Sequence, residues 1–269
     1  MHGHESQWFE GFARCDFEVA GRPATVIEPA RPLPGLPWAW KGEFLDAFPG
    51  TELALLRRGV HIAYLNYPDQ FGSQAAVGKW NEFYAVLTRE RGFAPRPALI
   101  GLSRGGLYCY AWAAANPDKV ACIYGDAPVC DIRSWPGGKG KGAGSARDWN
   151  LLMQVFGFAS ESDALAWKGN PVDRLAPLAA AGVPIMHVYG DADKVVPWDE
   201  NTGALAERYR AMGGKIDLIA KPGCGHHPHG LADPTPVVEF ILSSLSRTAA
   251  TAGSGTRSPY SEIGGLSPR

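Results

Sequence analysis

The chain has 269 residues, 45% hydrophobic and 20% charged, with a formal net charge of −1. That composition fits one large α/β domain or two small ones, and its balance supplies neither a basic field for nucleic acid nor a polybasic membrane patch. No apolar run reaches the roughly 20 residues that span a bilayer, and MHGHESQWFEGF lacks the basic and apolar regions of a signal peptide; the default expectation is cytoplasmic, with a periplasmic or secreted location open if a leader has been trimmed.

Residues 14–20 (RCDFEVA) and 23–28 (PATVIE) alternate apolar and polar positions around Gly21-Arg22, which predicts a β-hairpin. The stretch 29–44, PARPLPGLPWAWKGEF, is rich in proline and aromatics and reads as a structured loop. A helix over 51–58, a buried strand over 60–65 and an amphipathic helix over 75–91 follow. The apolar run 97–100 is a buried strand that breaks into Gly101-Leu102-Ser103-Arg104-Gly105-Gly106 and then a helix over 107–115. Residues 119–124 form another strand, followed by Gly125-Asp126-Ala127-Pro128.

Residues 131–182 interrupt this rhythm. The segment 134–145, SWPGGKGKGAGS, is expected to be flexible or ordered by a ligand, with helices near 146–156 and 161–168. Alternation resumes with strands at 183–189 and 215–220 and helices at 200–212 and 236–245; the tail from Arg247 is Gly/Ser/Thr/Pro-rich and is expected to be disordered. Strands alternating with helices argue a mainly parallel sheet covered on both faces, with the hairpin at its start. The expected plan is one domain over 1–246, with a cap insertion at about 131–182 and a tail over 247–269.

A strand, a G-x-S-x-G turn and a helix are the context of a nucleophile elbow. Serine on so tight a turn sits in a strained conformation, and Gly101 and Gly105 clear the space on either side. Two further stretches fall at strand ends: Gly190-Asp191-Ala192-Asp193 and Gly225-His226-His227-Pro228-His229. Ligands of open α/β sheets bind at that edge. A hydroxyl is a weak nucleophile until an imidazole takes its proton and a carboxylate orients the imidazole.

GLSRGG, GDADKVVP and GxGH, in that order, resemble the α/β-hydrolase superfamily over about residues 14–246. Within it PWAWKGEF, DAPVCDIRSWPGG and GHHPHGL resemble bacterial members described as esterases, some of them associated with polysaccharide degradation. The resemblance implies an α/β-hydrolase fold with Ser103 as nucleophile, Asp193 as acid and His226 as base. Asp191 is a rival for the acid, His227 for the base, and Asp126 and Asp131 are lesser acid candidates. The oxyanion hole would use the backbone N–H of Arg104 and, because the HG motif of many relatives is missing, that of Trp40 or a neighbour.

Trp38, Lys41, Trp135 and His229 are the candidate substrate contacts, with Trp198 as a further stacking residue. Tryptophans stack on sugar faces, and Arg104 with Lys41 offers charge to a carboxylate or sulfate; an ion pair between Arg104 and an acid on the cap is the competing account. The expected activity is therefore a serine esterase acting on a small-molecule or carbohydrate ester, such as an acetylated or uronoyl sugar. A peptidase or amidase of the same fold, or a non-catalytic binding protein, is the alternative. The histidine cluster matches no common zinc spacing, so neither metal nor cofactor is expected. Five cysteines without paired spacing predict free thiols, buried at Cys109 and Cys122.

Overall fold

In a computed structural model that describes residues 3–253, the chain opens with an antiparallel meander: β1 (His4–Gln7), β2 (Ala13–Val19) and β3 (Arg22–Glu28). The expected hairpin is β2–β3, with Val19 opposite Arg22 and positive φ at both Ala20 (55°) and Gly21 (71°), the backbone a two-residue turn between twisted strands requires. The next strands are β4 (Trp38–Lys41), β5 (His61–Leu65), β6 (Ala98–Leu102), β7 (Cys122–Asp126), β8 (Ile185–Gly190) and β9 (Ile216–Lys221). The described residues form one nine-stranded sheet ordered β1-β2-β3-β5-β4-β6-β7-β8-β9, parallel from β5 to β9. The segment 29–44 is thus not all loop: it contains β4, inserted between β5 and β6.

Eight α-helices are described: α1 (Gly50–Arg57), α2 (Gln74–Ala85), α3 (Gly105–Ala115), α4 (Ala146–Phe156), α5 (Glu161–Ala166), α6 (Ala176–Ala180), α7 (Ala204–Ala211) and α8 (Thr235–Gly253). The last helix continues beyond Leu245 to Gly253, and the rest of the tail expected to be disordered, 254–269, lies outside the described residues. No helix among the described residues is long and apolar enough to cross a membrane. The five cysteines are free, with Cys109, Cys122 and Cys130 buried.

Each face of the sheet carries its own core. Trp80 and Phe83 of α2, Trp112 of α3 and Tyr209 of α7 cover one side; Leu55 and Leu56 of α1 with Val237 and Ile241 of α8 cover the other. Successive residues of a strand point to opposite faces, and β4 shows the consequence. Trp38 and Trp40 enter the α2/α3 side, where Trp40 stacks on Trp80 with centroids 4.1 Å apart, whereas Ala39 joins the α1/α8 side.

This alternation removes two expected substrate contacts. Trp38 is 0% exposed and its indole N–H donates to Ala94 O at 2.8 Å, so it is a core residue. Lys41 is 1% exposed and paired with the equally buried Glu52 of α1. A lysine whose charge is neutralised in the core has none to offer a substrate.

The 131–182 segment carries α4, α5 and α6 between β7 and β8, and a third apolar cluster joins it to the body through Phe71, Leu107, Ile132, Trp135, Leu152 and Val196. The start of its Gly-rich loop is tied down rather than loose. Ser134 Oγ donates to Glu200 Oε2 (2.7 Å), and Asn201 Oδ1 accepts from Cys130 N (2.8 Å) and Asp131 N (3.2 Å). Backbone bonds from Gly137 N to Ile132 O (2.9 Å) and from Ser145 N to Pro136 O (2.9 Å) close the loop on itself.

Candidate active site

Ser103 follows β6 directly and precedes α3 by two residues, with φ of 49°. That positive φ is a strained value for a non-glycine residue. Neighbouring backbone holds it there: Ser103 N donates to Asp126 O (2.9 Å), while Ser103 O accepts from Gly106 N (3.0 Å) and Val129 N (2.9 Å). A Cβ on Gly101 would come within 2.9 Å of Gly106 Cα, and one on Gly106 within 2.8 Å of Pro128 Cβ. These glycines let β6, α3 and the loop after β7 approach one another closely.

The loops after β8 and β9 cross beside this turn. A Cβ on Gly190 would lie 2.3 Å from both Cys224 O and Gly225 O, and Ala192 N donates to Cys224 O at 3.0 Å. The crossing sets Asp193 against His226: His226 Nδ1 lies 2.7 Å from Asp193 Oδ2, and His226 Nε2 lies 3.0 Å from Ser103 Oγ. An ionised carboxylate only accepts, so Nδ1 carries the proton and donates it to Asp193, leaving Nε2 to accept from the serine hydroxyl.

Asp193 is buried, which by itself would raise its pKa. The bond from His226 and the backbone N–H groups of Val195 (2.8 Å) and Val196 (2.9 Å) outweigh burial and hold it below the ordinary carboxylate range. Asp191 is occupied elsewhere, accepting from Gly223 N at 2.7 Å across the loop crossing. Ser103 Oγ is paired with His226 and not with His227, which is exposed and stacks on Phe48 with centroids 5.7 Å apart.

Arg104 is the residue whose partners sequence reading left open. Its guanidinium meets Glu43 (2.7 Å), Asp69 (2.9 Å) and Asp148 of α4 (3.5 Å). The ion-pair account is the one realised, and three carboxylates already hold the cation that was to bind an anionic substrate. Burial raises Glu43 to about 7 even beside Arg104. Neither Glu43 nor Asp69 was singled out, because only the fold brings them to Arg104.

Asp126 and His229 form a second carboxylate–imidazole pair. His229 Nδ1 lies 3.0 Å from Asp126 Oδ1, Tyr124 Oη donates to Asp126 Oδ2 (2.8 Å), and Gly230 N donates to the same carboxylate. Burial would raise the Asp126 pKa, but His229 and Tyr124 outweigh it and hold it low. His229 is therefore 7% exposed and anchored to an acid, not a free contact on a pocket wall. Trp135 is 9% exposed and packed towards Phe71 in the third cluster, so it offers no open face for a sugar. Trp198 is stacked on Tyr189 at 5.1 Å.

Trp40 is misplaced as an oxyanion donor. It lies inside β4 between β5 and β6, and Gly42 N donates to Ile100 O at 2.9 Å. Trp40, two residues earlier on the same strand, directs its N–H to the same neighbour, so that donor is spent in the ladder. The backbone that meets the elbow comes later, where a Cβ on Gly105 would approach Glu43 N to 3.2 Å. An apolar cavity of about 430 Å³ lies elsewhere, lined by Pro37, Val60, Pro95 and Leu242 near the N-terminal ends of the parallel strands; none of Ser103, Asp193 and His226 lines it.

No protein-family model and no curated protein sequence matches the chain. Solved structures do. A puromycin-hydrolyzing peptidase of Mycobacterium tuberculosis superposes with a TM-score of 0.68 at 17% identity, over 90% of this chain and 40% of that one. Dipeptidyl peptidase 4 of Porphyromonas gingivalis gives 0.64 at 12%, over 90% and 36%, and a puromycin hydrolase gives 0.61 at 19%, over 93% and 39%. The chain spans about two fifths of the length of these structures. Likeness at such identities establishes the architecture: the chain has the α/β-hydrolase fold.

Proposed function

We propose that the chain is a serine hydrolase working through an acyl-enzyme and that the bond it cleaves is an amide, in a peptide or an aminoacyl amine. The observation that carries the hydrolase reading is the continuous run Ser103 Oγ–His226 Nε2 (3.0 Å) and His226 Nδ1–Asp193 Oδ2 (2.7 Å). Ser103 Oγ attacks the carbonyl carbon as its proton passes to His226 Nε2, and the Asp193 carboxylate stabilises the imidazolium. In this mechanism the donors to the developing oxyanion are the backbone N–H groups of Arg104, immediately before α3, and of Glu43, whose nitrogen lies against Gly105. His226 returns the proton to the departing amine, then takes one from the water that attacks the acyl-enzyme, and Ser103 is released protonated.

Two lines favour an amide over a sugar ester. The structural neighbours are named as peptidases. The residues that suggested a sugar or uronate are also otherwise engaged: Trp38 and Lys41 in the core, and Arg104 with three carboxylates. In this reading the 131–182 segment is the cap that shapes specificity, because Asp148 of α4 reaches Arg104 beside the nucleophile.

The test is intact mass after a fluorophosphonate probe, followed by initial rates on an aminoacyl arylamide and an acetylated sugar. One adduct on the Ser103 peptide and turnover of the arylamide are expected. A folded protein that takes no adduct overturns the hydrolase reading; turnover of the sugar ester alone overturns the amide reading. Gly190→Ala tests the loop crossing. Its methyl group forces Cys224 and Gly225 away, and displacing His226 by about 1 Å is expected to slow labelling roughly 100-fold. Labelling at the wild-type rate would show that the crossing does not position His226.

A further inference from the structure

The histidine cluster at the end of β9 is arranged as more than one base and two bystanders. His226, His227 and His229 each offer a ring nitrogen, and these nitrogens all lie within 4.8 Å of one another. Their ring centroids are 4.7–5.0 Å apart. Two of the three are held the same way: His226 Nδ1 bonds Asp193 (2.7 Å) and His229 Nδ1 bonds Asp126 (3.0 Å). Each carboxylate fixes the Nδ1–H tautomer and leaves the lone pair on Nε2, which in His226 accepts from Ser103 Oγ. An imidazole that donates its far N–H to a carboxylate is the usual form of a histidine metal ligand. The third, His227, is exposed and has no ring hydrogen bond among the described residues, resting instead against Phe48.

We propose that His226, His227 and His229 bind a divalent transition cation of the zinc class, and that its occupation shuts off Ser103. Three imidazoles suit zinc, nickel or copper rather than magnesium or calcium. Zinc–nitrogen bonds of about 2.0–2.1 Å in tetrahedral geometry bring ligand nitrogens to roughly 3.3 Å. Reaching that spacing takes rotation of exposed His227 together with small movements of His226 and His229 on their carboxylate anchors. The cation takes the Nε2 lone pair of His226, the one that otherwise accepts from Ser103 Oγ at 3.0 Å. Metal binding and serine activation are then mutually exclusive: the ion is an inhibitor, not a cofactor. The inhibition rests on the hydrolase reading; the binding site does not.

The test is calorimetric titration of zinc chloride into the full chain, with the fluorophosphonate labelling rate measured with and without zinc. Wild type is expected to bind one zinc at the cluster with micromolar or tighter affinity, and Ser103→Ala to bind at least as tightly. His227→Ala, a change at an exposed position, is expected to weaken binding at least 10-fold, as is His229→Ala. Both variants also subtract any background from His2 and His4 near the terminus. Zinc is expected to slow labelling of wild type at least 10-fold, with recovery on adding EDTA. In His227→Ala the same zinc concentration should change that variant's own labelling rate less. Absence of a saturable site, an affinity unchanged from wild type in both histidine variants, or labelling indifferent to bound zinc overturns the proposal. Zinc binding that depends on these histidines in a protein that never labels supports the site and rejects the hydrolase reading; labelling without zinc binding does the reverse.

Discussion

Ser103→Ala is expected to lower kcat on the amide substrate by roughly 10⁵–10⁶-fold, and His226→Ala by a similar factor, with the double variant no worse than either. In the proposed mechanism the hydroxyl and the imidazole act as one unit. Without Nε2 at 3.0 Å, Ser103 Oγ keeps its proton; without Oγ, the base has no nucleophile to activate. Asp193→Asn is expected to cost about 10⁴ with little change in KM. The amide would turn an N–H towards His226 Nδ1 or select the wrong tautomer, although the Val195 and Val196 N–H groups still hold the side chain in place. Asp126→Asn separates the two acids. Its carboxylate contacts His229, Tyr124 and Gly230 rather than His226, so its effect on kcat should be far smaller. Equal losses from the two substitutions would mean that the acid has been misassigned. Steady-state rates on the four single variants check all of this.

Trp40→Ala is expected to destabilise the fold by roughly 3–5 kcal/mol, lowering the melting temperature by on the order of 10 °C. Trp40 is 0% exposed, and its ring lies 4.1 Å from Trp80, 5.1 Å from Trp112, 5.3 Å from Phe83 and 5.4 Å from Trp38. Removing it leaves four aromatic walls around a void that rigid strands and helices close only in part. Trp40→Phe should be far milder. It keeps most of the stack and eliminates a buried indole N–H that has no hydrogen-bond partner. Urea titrations of both variants measure the difference; an alanine variant within about 1 kcal/mol of wild type would show that the aromatic stack is not a main support of the sheet.

Legibility in the sequence followed the range of each interaction. The elbow was readable because its physics is local: a serine at positive φ needs small residues beside it, and Gly101, Gly105 and Gly106 are within three positions. Asp193 and His226 were readable because they stand at strand ends in the order such sheets use, and the resemblance preferred them to Asp191 and His227; what the sequence could not show is the loop crossing at Gly190 that brings them together. Side-chain direction was not readable. Trp40 and Lys41 are neighbours, yet one faces α2 and α3 while the other reaches Glu52 of α1, and only the register of β4 decides which. That strand was itself obscured, being four residues long in a proline-rich stretch with no polar alternation. The partners of Arg104 were hidden for the opposite reason: Glu43, Asp69 and Asp148 come from three separate loops and helices.

The strand order has a kinetic corollary. The first three strands pair with near neighbours through short turns, but the parallel half of the sheet joins segments across long crossovers, and such pairings close late and slowly. Ser103 and His226 are 123 residues apart and meet only when β9 has docked on β8. During refolding from denaturant, the proposed pairing of Ser103 with its base would therefore form after the aromatic core has already excluded water. Its reactivity would serve as a clock for the final stage of assembly, one that tryptophan fluorescence alone would miss.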